Sequence, residues 1–462
     1  ENRTMTPATS KEIGSWAISR CYIIKRVIIP YVLIFVLAIN TTLNRLDYYF
    51  CGHANATKYN DASDNQNQTS EDDIDGRILE IAQCTPDQLF TIQQQLSPDD
   101  CLKYQHEPWK QRCSLTYATR CPDATWLKDH YIELHNTTHR QHGHSTRNHN
   151  HTSSVASSFI GIFVGCNKGF DAINAMRMGS GNPIFDKHAW EDGMTDVYKR
   201  GVPAGKIKLE HDVCNQATLP QFPLPAVSTS KPITTTSSSQ VHCIEPMPAT
   251  VRALQRSAYK TKYDKMGFTV THAALSKEDG TVPFPRGNTN KVGRENGGIG
   301  STKCILRNCV DVPMYSLDTY VSKFVPEGAP IDYLSVDVEG YDYDVLLGGN
   351  SSALTRVRYL EFEYNWMGAW KDQSLHQAIE YLDQQFGFTC YWAGFNNTVW
   401  RITKCWLDFY DLHFWSNVAC VNRNSHEVRG VAERMEATFH DTLAKGEVNL
   451  RDFEHRFERK DH

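Results

Sequence analysis

The segment IDYLSVDVEGYDYDVLLGG, residues 331–349, constrains the fold of this chain most strongly. Its apolar residues predict a buried strand, and Asp337 and Glu339 at its carboxyl end are expected to face the same side of the strand. Gly340 then permits a sharp turn, and the acidic residues after it favour the first turn of a helix. Carboxylates at the end of a buried strand are costly unless they bind a partner. We therefore expect an α/β fold with a ligand site at this strand end, where open α/β sheets bind their ligands.

From residue 157 onwards, strand-like and helix-like segments alternate, which is typical of α/β proteins. SSFIGIFVGCNKGF predicts a buried strand followed by a glycine loop that begins at Gly165. VHCIEPMPATVRAL predicts a second strand, which ends at Glu245, and HAALSKEDGTVPF and PMYSLDTYV follow it. After the opening segment, RVRYLEFEYNW predicts a further strand, which carries Glu363.

Taken in order, these segments resemble the FkbM family of S-adenosylmethionine-dependent methyltransferases across residues 155–422. The family's G-x-N-x-G loop, its strand ending in E-P-x-P and its strand ending in D-x-E-G are all present. Each motif alone is weak, whereas the ordered set is specific. The resemblance implies an α/β fold of the Rossmann-like class I methyltransferase type, with a mostly parallel sheet and an antiparallel last strand.

The resemblance also implies a cofactor, S-adenosylmethionine, and residues that bind it. Glycines let the loop backbone approach the methionine part of the cofactor, and an acidic residue after the second strand can accept both ribose hydroxyls. The residues implied in this way are Gly165, Asn167, Gly169, Glu245, Ala274, Asp337 and Glu339. An ordinary tight turn, a solvated glutamate and plain core packing are the alternatives for the individual motifs.

One position departs from the family pattern. The family has an acidic residue two positions before the first glycine of the loop, and this chain has Phe163 there. The change removes one expected partner for the ammonium group of the cofactor. It therefore favours either weaker cofactor binding or its loss.

Methyl transfer from a sulfonium depends mainly on holding donor and acceptor in line, so few catalytic groups are needed. A hydroxyl acceptor must lose its proton as it attacks, which calls for a general base. Asp337 is the first candidate for this catalytic role and Glu363 is the second. A magnesium site at Asp337 and Glu339 is the alternative, but the resemblance implies no metal.

The most hydrophobic stretch is CYIIKRVIIPYVLIFVLAI, residues 21–39. It is long enough for a transmembrane helix when Lys25 and Arg26 extend their charged ends to the membrane surface. Lys and Arg are concentrated before it, which predicts a signal anchor with the amino terminus in the cytosol. A cleaved signal peptide is the alternative interpretation.

Two further features favour entry into the secretory pathway. Glycosylation sequons begin at Asn2, Asn40, Asn55, Asn67, Asn136, Asn150, Asn350 and Asn396. A cluster of cysteines follows the predicted anchor, which is typical of disulfide-bonded proteins in oxidising compartments, although the pairing does not follow from sequence. We expect a single-pass membrane glycoprotein whose main part lies in the lumen of the Golgi or the endoplasmic reticulum.

The chain divides by composition and motif content. The predicted parts are a cytosolic tail (1–20), a signal-anchor transmembrane segment (21–42), a stem and cysteine-containing region with a His-rich linker (43–150), the methyltransferase domain (151–425) with an insertion (179–239), and a charged helical tail (426–462). The histidines of the linker suit metal binding, but solvated side chains in a flexible segment are the favoured interpretation.

Three functions remain open from the sequence. The first is an O-methyltransferase acting on a hydroxyl of a glycan or small molecule in the secretory pathway. The second is a non-catalytic binding protein on a degenerate methyltransferase fold, which Phe163 and the long insertion favour. The third is an NAD or nucleotide-sugar enzyme, against which the lack of a G-x-G-x-x-G loop argues. A net charge of -5 and the lack of a basic stripe argue against a nucleic-acid partner.

Overall fold

Alternating strands and helices form an α/β structure in the residues that the computed structural model describes, which are 81–143, 158–199, 202–209, 239–286, 291–293 and 309–446. These residues all fall within one compact unit, which spans Gly76–His462. The predicted α/β class is confirmed. Within this part of the chain, apolar side chains from both the sheet and the flanking helices share one large core.

The strands follow the apolar segments of the sequence. They are β1 (Ile160–Val164), β2 (Asp196–Lys199), β3 (Val202–Lys206), β4 (Lys208–Leu209), β5 (Gln240–Glu245), β6 (Phe268–His272), β7 (Ala274–Ser276), β8 (Gly280–Pro285), β9 (Lys291–Val292), β10 (Cys309–Ser316), β11 (Tyr333–Val336), β12 (Tyr359–Tyr364), β13 (Phe388–Ala393), β14 (Val399–Arg401) and β15 (Ser416–Asn422). Every residue of β1, β12 and β13 is buried, as expected for strands covered on both faces.

The α-helices begin at favourable capping residues in several cases. They are α1 (Pro86–Leu96), α2 (Pro98–Lys103), α3 (Ser114–Thr119), α4 (Thr125–Gly143), α5 (Phe170–Ser180), α6 (Lys187–Thr195), α7 (Pro248–Thr261), α8 (Leu317–Phe324), α9 (Asp342–Leu347), α10 (Leu375–Phe386) and α11 (Arg429–Ala444). For example, the Ser374 hydroxyl caps the start of α10, and Gly387 ends that helix in the left-handed conformation. Short 3-10 turns occupy Pro108–Lys110, Tyr263–Lys265, Leu354–Arg356, Gly368–Asp372, Asp408–Asp411 and His426–Val428.

The central sheet is mixed and has eight strands in the described part of the chain. Their order is β6-β5-β1-β11-β12-β15-β13-β14. The first five run parallel to one another, whereas β15 lies antiparallel between β12 and β13. The last strand in the chain is therefore an antiparallel one, as predicted.

The order of the parallel strands reverses at β1. β5 lies on one side of it and β11 on the other, so the connections after β1 and β11 leave in opposite directions. Such a switch point opens a crevice at the carboxyl ends of the strands, which is where open α/β sheets bind ligands. The predicted strand ends all lie at this edge.

A smaller three-stranded sheet stands beside the central one. Its order is β7-β10-β8, with β10 parallel to β7 and antiparallel to β8. Ala274, Phe284 and Val312 form a small apolar cluster of their own on this sheet. This cluster forms one wall of the crevice described below.

Residues 81–143 pack on the core of the sheet, although they were predicted as part of a separate cysteine-containing region. A disulfide joins Cys84 to Cys405 in the far part of the chain, and a second joins Cys101 to Cys113. Of these two described bridges, the second closes within the predicted cysteine region. The first fastens that region to the sheet domain.

Two segments contain regular structure that the sequence did not predict. Helix α4 runs to Gly143 and so occupies the first part of the predicted His-rich linker, where the His135 ring lies 2.7 Å from the carbonyl oxygen of Met178. Part of the predicted insertion forms α6 and β2 to β4, and Trp190 of α6 is fully buried. An apolar face on α6, rather than the composition of the insertion as a whole, decides this outcome.

Other predictions fall on residues that the structure does not describe. The predicted cytosolic tail and signal anchor, 1–42, lie outside the described residues, as do residues 210–238 of the predicted insertion and the end of the chain from 447. No helix in the described ranges is sufficiently long and apolar to span a bilayer. In the predicted helical tail, α11 buries Val431, Met435 and Phe439.

Candidate functional site

A pocket opens at the switch point of the sheet, where the carboxyl ends of β1, β5 and β11 meet. It contains about 580 Å³ of space, part of it continuous with solvent. Its described lining residues are Val164, Gly165, Asn167, Glu245, Pro246, Met247, Ala273, Ala274, Leu275, Phe284, Asp337, Val338 and Glu339. Six of the seven predicted cofactor-binding residues are in this set, and Gly169 is the exception.

The glycine loop fits closely between its two neighbouring strand ends. Gly165 has a φ of +78°, and a Cβ atom there would lie 1.7 Å from the carbonyl oxygen of Asp337. The N–H groups of Gly165 and Cys166 both donate to the carbonyl oxygen of Ile244, at 3.0 and 2.9 Å. The N–H of Asp337 donates to Val164 at 2.9 Å. Only glycine suits this position, because the close approach leaves no room for a side chain.

The backbone N–H of Asn167 makes a hydrogen bond, whereas its side-chain oxygen accepts none from the described residues. Its φ is +49°, and its N–H donates to Oε2 of Glu245 at 3.0 Å. Its Oδ1 atom is buried and accepts no hydrogen bond from the described residues. A buried acceptor without a donor is costly, so a ligand that brings a donor to this point would be favoured.

Gly169 supports the loop from behind the pocket. It has a φ of +72° and precedes α5, where a Cβ atom would lie 3.1 Å from Trp190 and 3.2 Å from Leu254. The Trp190 indole in turn donates to the carbonyl oxygen of Lys168 at 2.8 Å. Gly169 therefore shapes the turn, while the pocket surface is made by the residues before it.

Glu245 is a buried carboxylate at the end of β5, with 5% of its surface exposed. Oε1 accepts the N–H of Met247 at 2.8 Å, and Oε2 accepts the N–H of Asn167. The pKa of Glu245 is raised to about 7: burial and the charge of Glu339 raise it, while these two hydrogen bonds and Lys168 partly oppose them. Each oxygen keeps a lone pair for a ligand donor, which suits a pair of ribose hydroxyls.

Asp337 and Glu339 both line the pocket, but not through the predicted strand alternation. Strand β11 ends at Val336, and Glu339 adopts a φ of +59°. The chain therefore leaves the sheet before Asp337, and the period of two no longer applies. Asp337 is exposed and Glu339 is partly buried, so both carboxylates face the crevice from an irregular turn.

Asp342 holds this turn in place, a role that the sequence did not reveal. Its side chain is fully buried, and it accepts the N–H groups of Val338 and Gly340 at 3.4 and 3.2 Å. It also lies 3.4 Å from the N–H of Glu363 on β12. Burial raises the pKa of Asp342 to about 7. The sequence indicated only a favourable residue for the first turn of α9, because backbone contacts across a turn leave no sequence pattern.

Glu363, the second predicted base, lies beside the pocket rather than among its lining residues. It is buried at the end of β12, where it accepts the side-chain N–H of Asn365 at 2.7 Å. Burial raises its pKa well above the usual range, and the charges of Asp337, Glu339 and Asp342 add to this effect. A carboxyl whose pKa is raised in this way ionises less readily, which disfavours it as a general base.

The opposite wall of the pocket is apolar. Ala273, Ala274 and Leu275 are buried there with Phe284, and Met247 packs against the same cluster. Ala274 was predicted for the adenine side, and the structure places it in this wall. A flat apolar ring can lie here while its polar partners lie at Glu245 and Asn167.

Phe163 is placed in the core beneath the loop. Its ring packs edge-on against Tyr333 at a centroid distance of 5.1 Å, and only 3% of its surface is exposed. The next strands carry Glu361, whose carboxylate accepts the hydroxyls of Tyr333 and Tyr359 at 2.5 and 2.6 Å. The space beneath the loop thus contains aromatic rings, and the buried carboxylate of Glu361 is bound to two of the tyrosines there.

The charge of the pocket is negative in the part of the chain that the structure describes. Glu245, Asp337 and Glu339 line it, and none of the described lining residues is Lys, Arg or His. Across the described residues, no group of three or more His, Cys, Asp or Glu side chains is arranged to hold a metal ion.

Comparison with known proteins gives one match. Residues 228–390 match the family model described as the methyltransferase FkbM domain. The resemblance predicted from the sequence is confirmed over this range, which includes Glu245, Ala274, Asp337, Glu339 and Glu363 and begins after the glycine loop. The match supports a methyltransferase. No curated protein and no solved structure shows significant similarity to the chain.

Proposed function

We propose that this protein is an S-adenosylmethionine-dependent O-methyltransferase that acts on a hydroxyl group in the secretory pathway. The observation that carries the proposal is the convergence of Gly165, Glu245 and Asp337 on one acidic pocket at the switch point of the sheet. The order of strands, with the antiparallel strand β15 inserted between β12 and β13, agrees with the class I methyltransferase fold that the resemblance implies. The domain match over residues 228–390 supports the same reaction class.

The charge of the pocket favours this cofactor over the alternatives. S-adenosylmethionine carries a sulfonium and an ammonium, which three carboxylates attract. NAD and nucleotide sugars carry phosphates, which usually bind at backbone N–H groups or basic side chains. The described lining offers carboxylates and no basic side chain, so it disfavours a phosphate-bearing cofactor.

The residues present fit the cofactor at three points. The unpartnered Oδ1 of Asn167 would accept from the ammonium group, and the carboxylate of Glu245 would accept from the ribose hydroxyls. Ala274, Leu275 and Phe284 would enclose the adenine ring. When bound, the cofactor supplies the electrophilic methyl group, and the protein contributes alignment and exclusion of water.

Asp337 is the residue that we propose as general base. It is exposed at the mouth of the pocket, so it can reach a hydroxyl acceptor that approaches from solvent. Glu363 lies outside the lining and its pKa is raised, which disfavours it as a base; its backbone N–H instead donates to Asp342, which holds the turn that carries Asp337. The acceptor class is a hydroxyl of a glycan or small molecule.

The disulfides support the proposed location in the secretory pathway. Disulfides join Cys84 to Cys405, Cys101 to Cys113, Cys166 to Cys243 and Cys390 to Cys420. Such a density of bridges is typical of oxidising compartments. The predicted anchor at 21–42 and the sequons agree with a lumenal domain.

A non-catalytic binding protein remains the second candidate, because Phe163 replaces the expected acid. Calorimetry separates the two. We expect the purified protein to bind S-adenosylmethionine, with no comparable heat from NAD. Transfer of labelled methyl groups to total cell-surface glycans would establish catalysis, with Asp337→Asn as the inactive control. Absence of binding with both the cofactor and its demethylated product would overturn the enzyme assignment in favour of the second candidate.

A further inference from the structure

A disulfide joins the two polar parts of the pocket wall. Cys166 lies in the glycine loop immediately after Gly165, and Cys243 lies in β5 two residues before Glu245. The bond therefore links the loop that carries Asn167 to the strand that carries Glu245.

The disulfide acts between the same two segments as three hydrogen bonds. The N–H groups of Gly165 and Cys166 donate to Ile244, and the N–H of Asn167 donates to Glu245. Of these three bonds, only the one from Asn167 reaches the carboxylate of Glu245. Together with the Met247 bond it lowers the pKa of Glu245, against the opposing effect of burial. Any movement of the loop away from β5 would weaken this bond and leave the buried carboxyl harder to ionise.

Phe163, the residue beneath the loop, makes the Cys166–Cys243 disulfide more important for holding the loop. Phe163 on β1 lies in register with Cys243 on β5, so the two side chains are neighbours on one face of the sheet. An acidic residue at 163 could accept N–H groups from the loop, whereas a phenyl ring cannot. The loop is therefore fastened on the β5 side, by the disulfide and the bonds beside it.

We infer that Cys166 and Cys243 are positioning residues for the proposed cofactor site, where their bond holds the loop so that Asn167 N–H reaches Glu245. The inference rests on the proposed function. It assigns to this disulfide a role in ligand binding in addition to stabilisation of the fold.

The test compares two disulfide deletions in the full chain. Cys166→Ala with Cys243→Ala removes the bridge at the site, and Cys390→Ala with Cys420→Ala removes a bridge between β13 and β15, which contribute no described residue to the pocket lining. Cys166→Ser alone is the second site variant, since it leaves the buried Cys243 in place. Affinity for S-adenosylmethionine is measured by calorimetry between about pH 6 and pH 8, the range around the pKa of Glu245.

We expect the site variants to bind about tenfold more weakly or worse, as for loss of a hydrogen bond to a charged group. We also expect the midpoint of the pH dependence to move upward by about one unit, because Glu245 loses a donor. The control variant should lose thermal stability but keep the affinity and midpoint of the intact protein. Equal affinity and an equal midpoint in the site variants would overturn the inference while leaving the proposed function intact.

Hydrogen exchange at residues 165–169 gives a readout that needs no cofactor. We expect faster exchange there in the site variants and unchanged exchange in the control. If the intact protein binds no S-adenosylmethionine, the proposed function fails. Faster exchange in the site variants would then still support the positioning role, and unchanged exchange would refute it.

Discussion

The backbone N–H of Asn167 donates a 3.0 Å hydrogen bond to Oε2 of Glu245 and so joins the glycine loop to the end of β5. Met247 donates to the other oxygen of the same carboxylate at 2.8 Å. The two bonds fix the orientation of the carboxylate but leave lone pairs facing the pocket. The ionisation of Glu245 therefore controls how well the pocket accepts a cationic, hydroxyl-bearing ligand.

The first prediction concerns the pH dependence of cofactor binding. The pKa of Glu245 is about 7 in the free protein, and the ligand requires the ionised form. Affinity for S-adenosylmethionine should therefore rise as the pH rises towards 7 and become constant above it. Below the pKa the loss should be about tenfold per pH unit, as for release of one proton on binding. Calorimetry in buffers of different pH measures this.

Glu245→Gln is the control for that experiment. It keeps the size of the side chain but cannot ionise, so we expect weak binding without the step near pH 7. A step that persists in Glu245→Gln would assign the titration to another group, of which Asp342 is the first to examine because its pKa is also about 7.

A second prediction concerns the close approach of Gly165 to Asp337. Gly165→Ala should lower the free energy of unfolding by about 3 kcal/mol or more, because a side chain meets the backbone there and the left-handed conformation is strained. Cofactor binding should be lost with it. Denaturant unfolding and calorimetry measure the two effects.

Gly328→Ala is a matched control, because Gly328 also has a positive φ, of +66°, but a Cβ atom there meets nothing within 4 Å. It should cost about 1 kcal/mol and leave binding unchanged. Similar losses of stability in the two variants would show that backbone strain, rather than the contact with Asp337, limits position 165.

The sequence indicated the strand ends of this site well, because each is a local pattern. Gly165, Glu245 and Asp337 each follow a buried apolar run, and parallel topology brings such ends to one edge. The contribution of Asp342 and the link between Cys166 and Cys243 were missed. The disulfide joins segments 77 residues apart, and Asp342 bonds to backbone groups of its own turn and of β12. Periodicity carries no information about either kind of contact.

The same reasoning explains where the fold differed from expectation. Residues 81–143 were separated from the sheet domain because their cysteines cluster in sequence, yet Cys84 is bonded to Cys405. Asp337 and Glu339 were predicted to alternate on a strand that ends one residue earlier, at Val336. Where a strand stops depends on its partners in the sheet, which a single segment does not reveal.

The third prediction separates the two candidate bases. Asp337→Asn should reduce methyl transfer by about a hundredfold or more, the usual contribution of a general base, while changing cofactor affinity only slightly. Glu363→Gln should retain most of the activity, because Glu363 lies outside the described pocket lining and the oxygen of glutamine can also accept the Asn365 N–H. Rates of label transfer under saturating cofactor measure both. A greater loss in Glu363→Gln than in Asp337→Asn would reverse the assignment.

A fourth prediction concerns stability and the buried Glu361. Burial raises its pKa to about 7 from the ordinary 4.5, so the folded state holds a proton that the unfolded state releases. The stability that this proton contributes is present in full below pH 4.5 and declines as the pH rises to about 7. A shift of this size corresponds to about 3 kcal/mol.

Glu361→Gln isolates this contribution. The variant should be less stable than the intact protein at pH 5, because its amide cannot accept both tyrosine hydroxyls. The difference should shrink by pH 8, where the intact protein bears a buried charge. Denaturant unfolding at a series of pH values measures the difference, and a gap that stays constant with pH would show that Glu361 is ionised throughout.

The last prediction concerns glycosylation of the described sequons. Asn350 follows α9 and Asn396 lies in the turn between β13 and β14, and both side chains are exposed. If the domain is lumenal, each should carry a glycan when the full chain is expressed in a secretory host. Digestion with a peptide N-glycosidase should increase electrophoretic mobility, and Asn350→Gln and Asn396→Gln should each remove one glycan. Asn397→Gln changes an exposed neighbour that is not a sequon acceptor and should leave the mobility unchanged. Protein that carries the disulfides but no glycan at either position would argue against passage through the compartment where glycans are attached, and so against the proposed location.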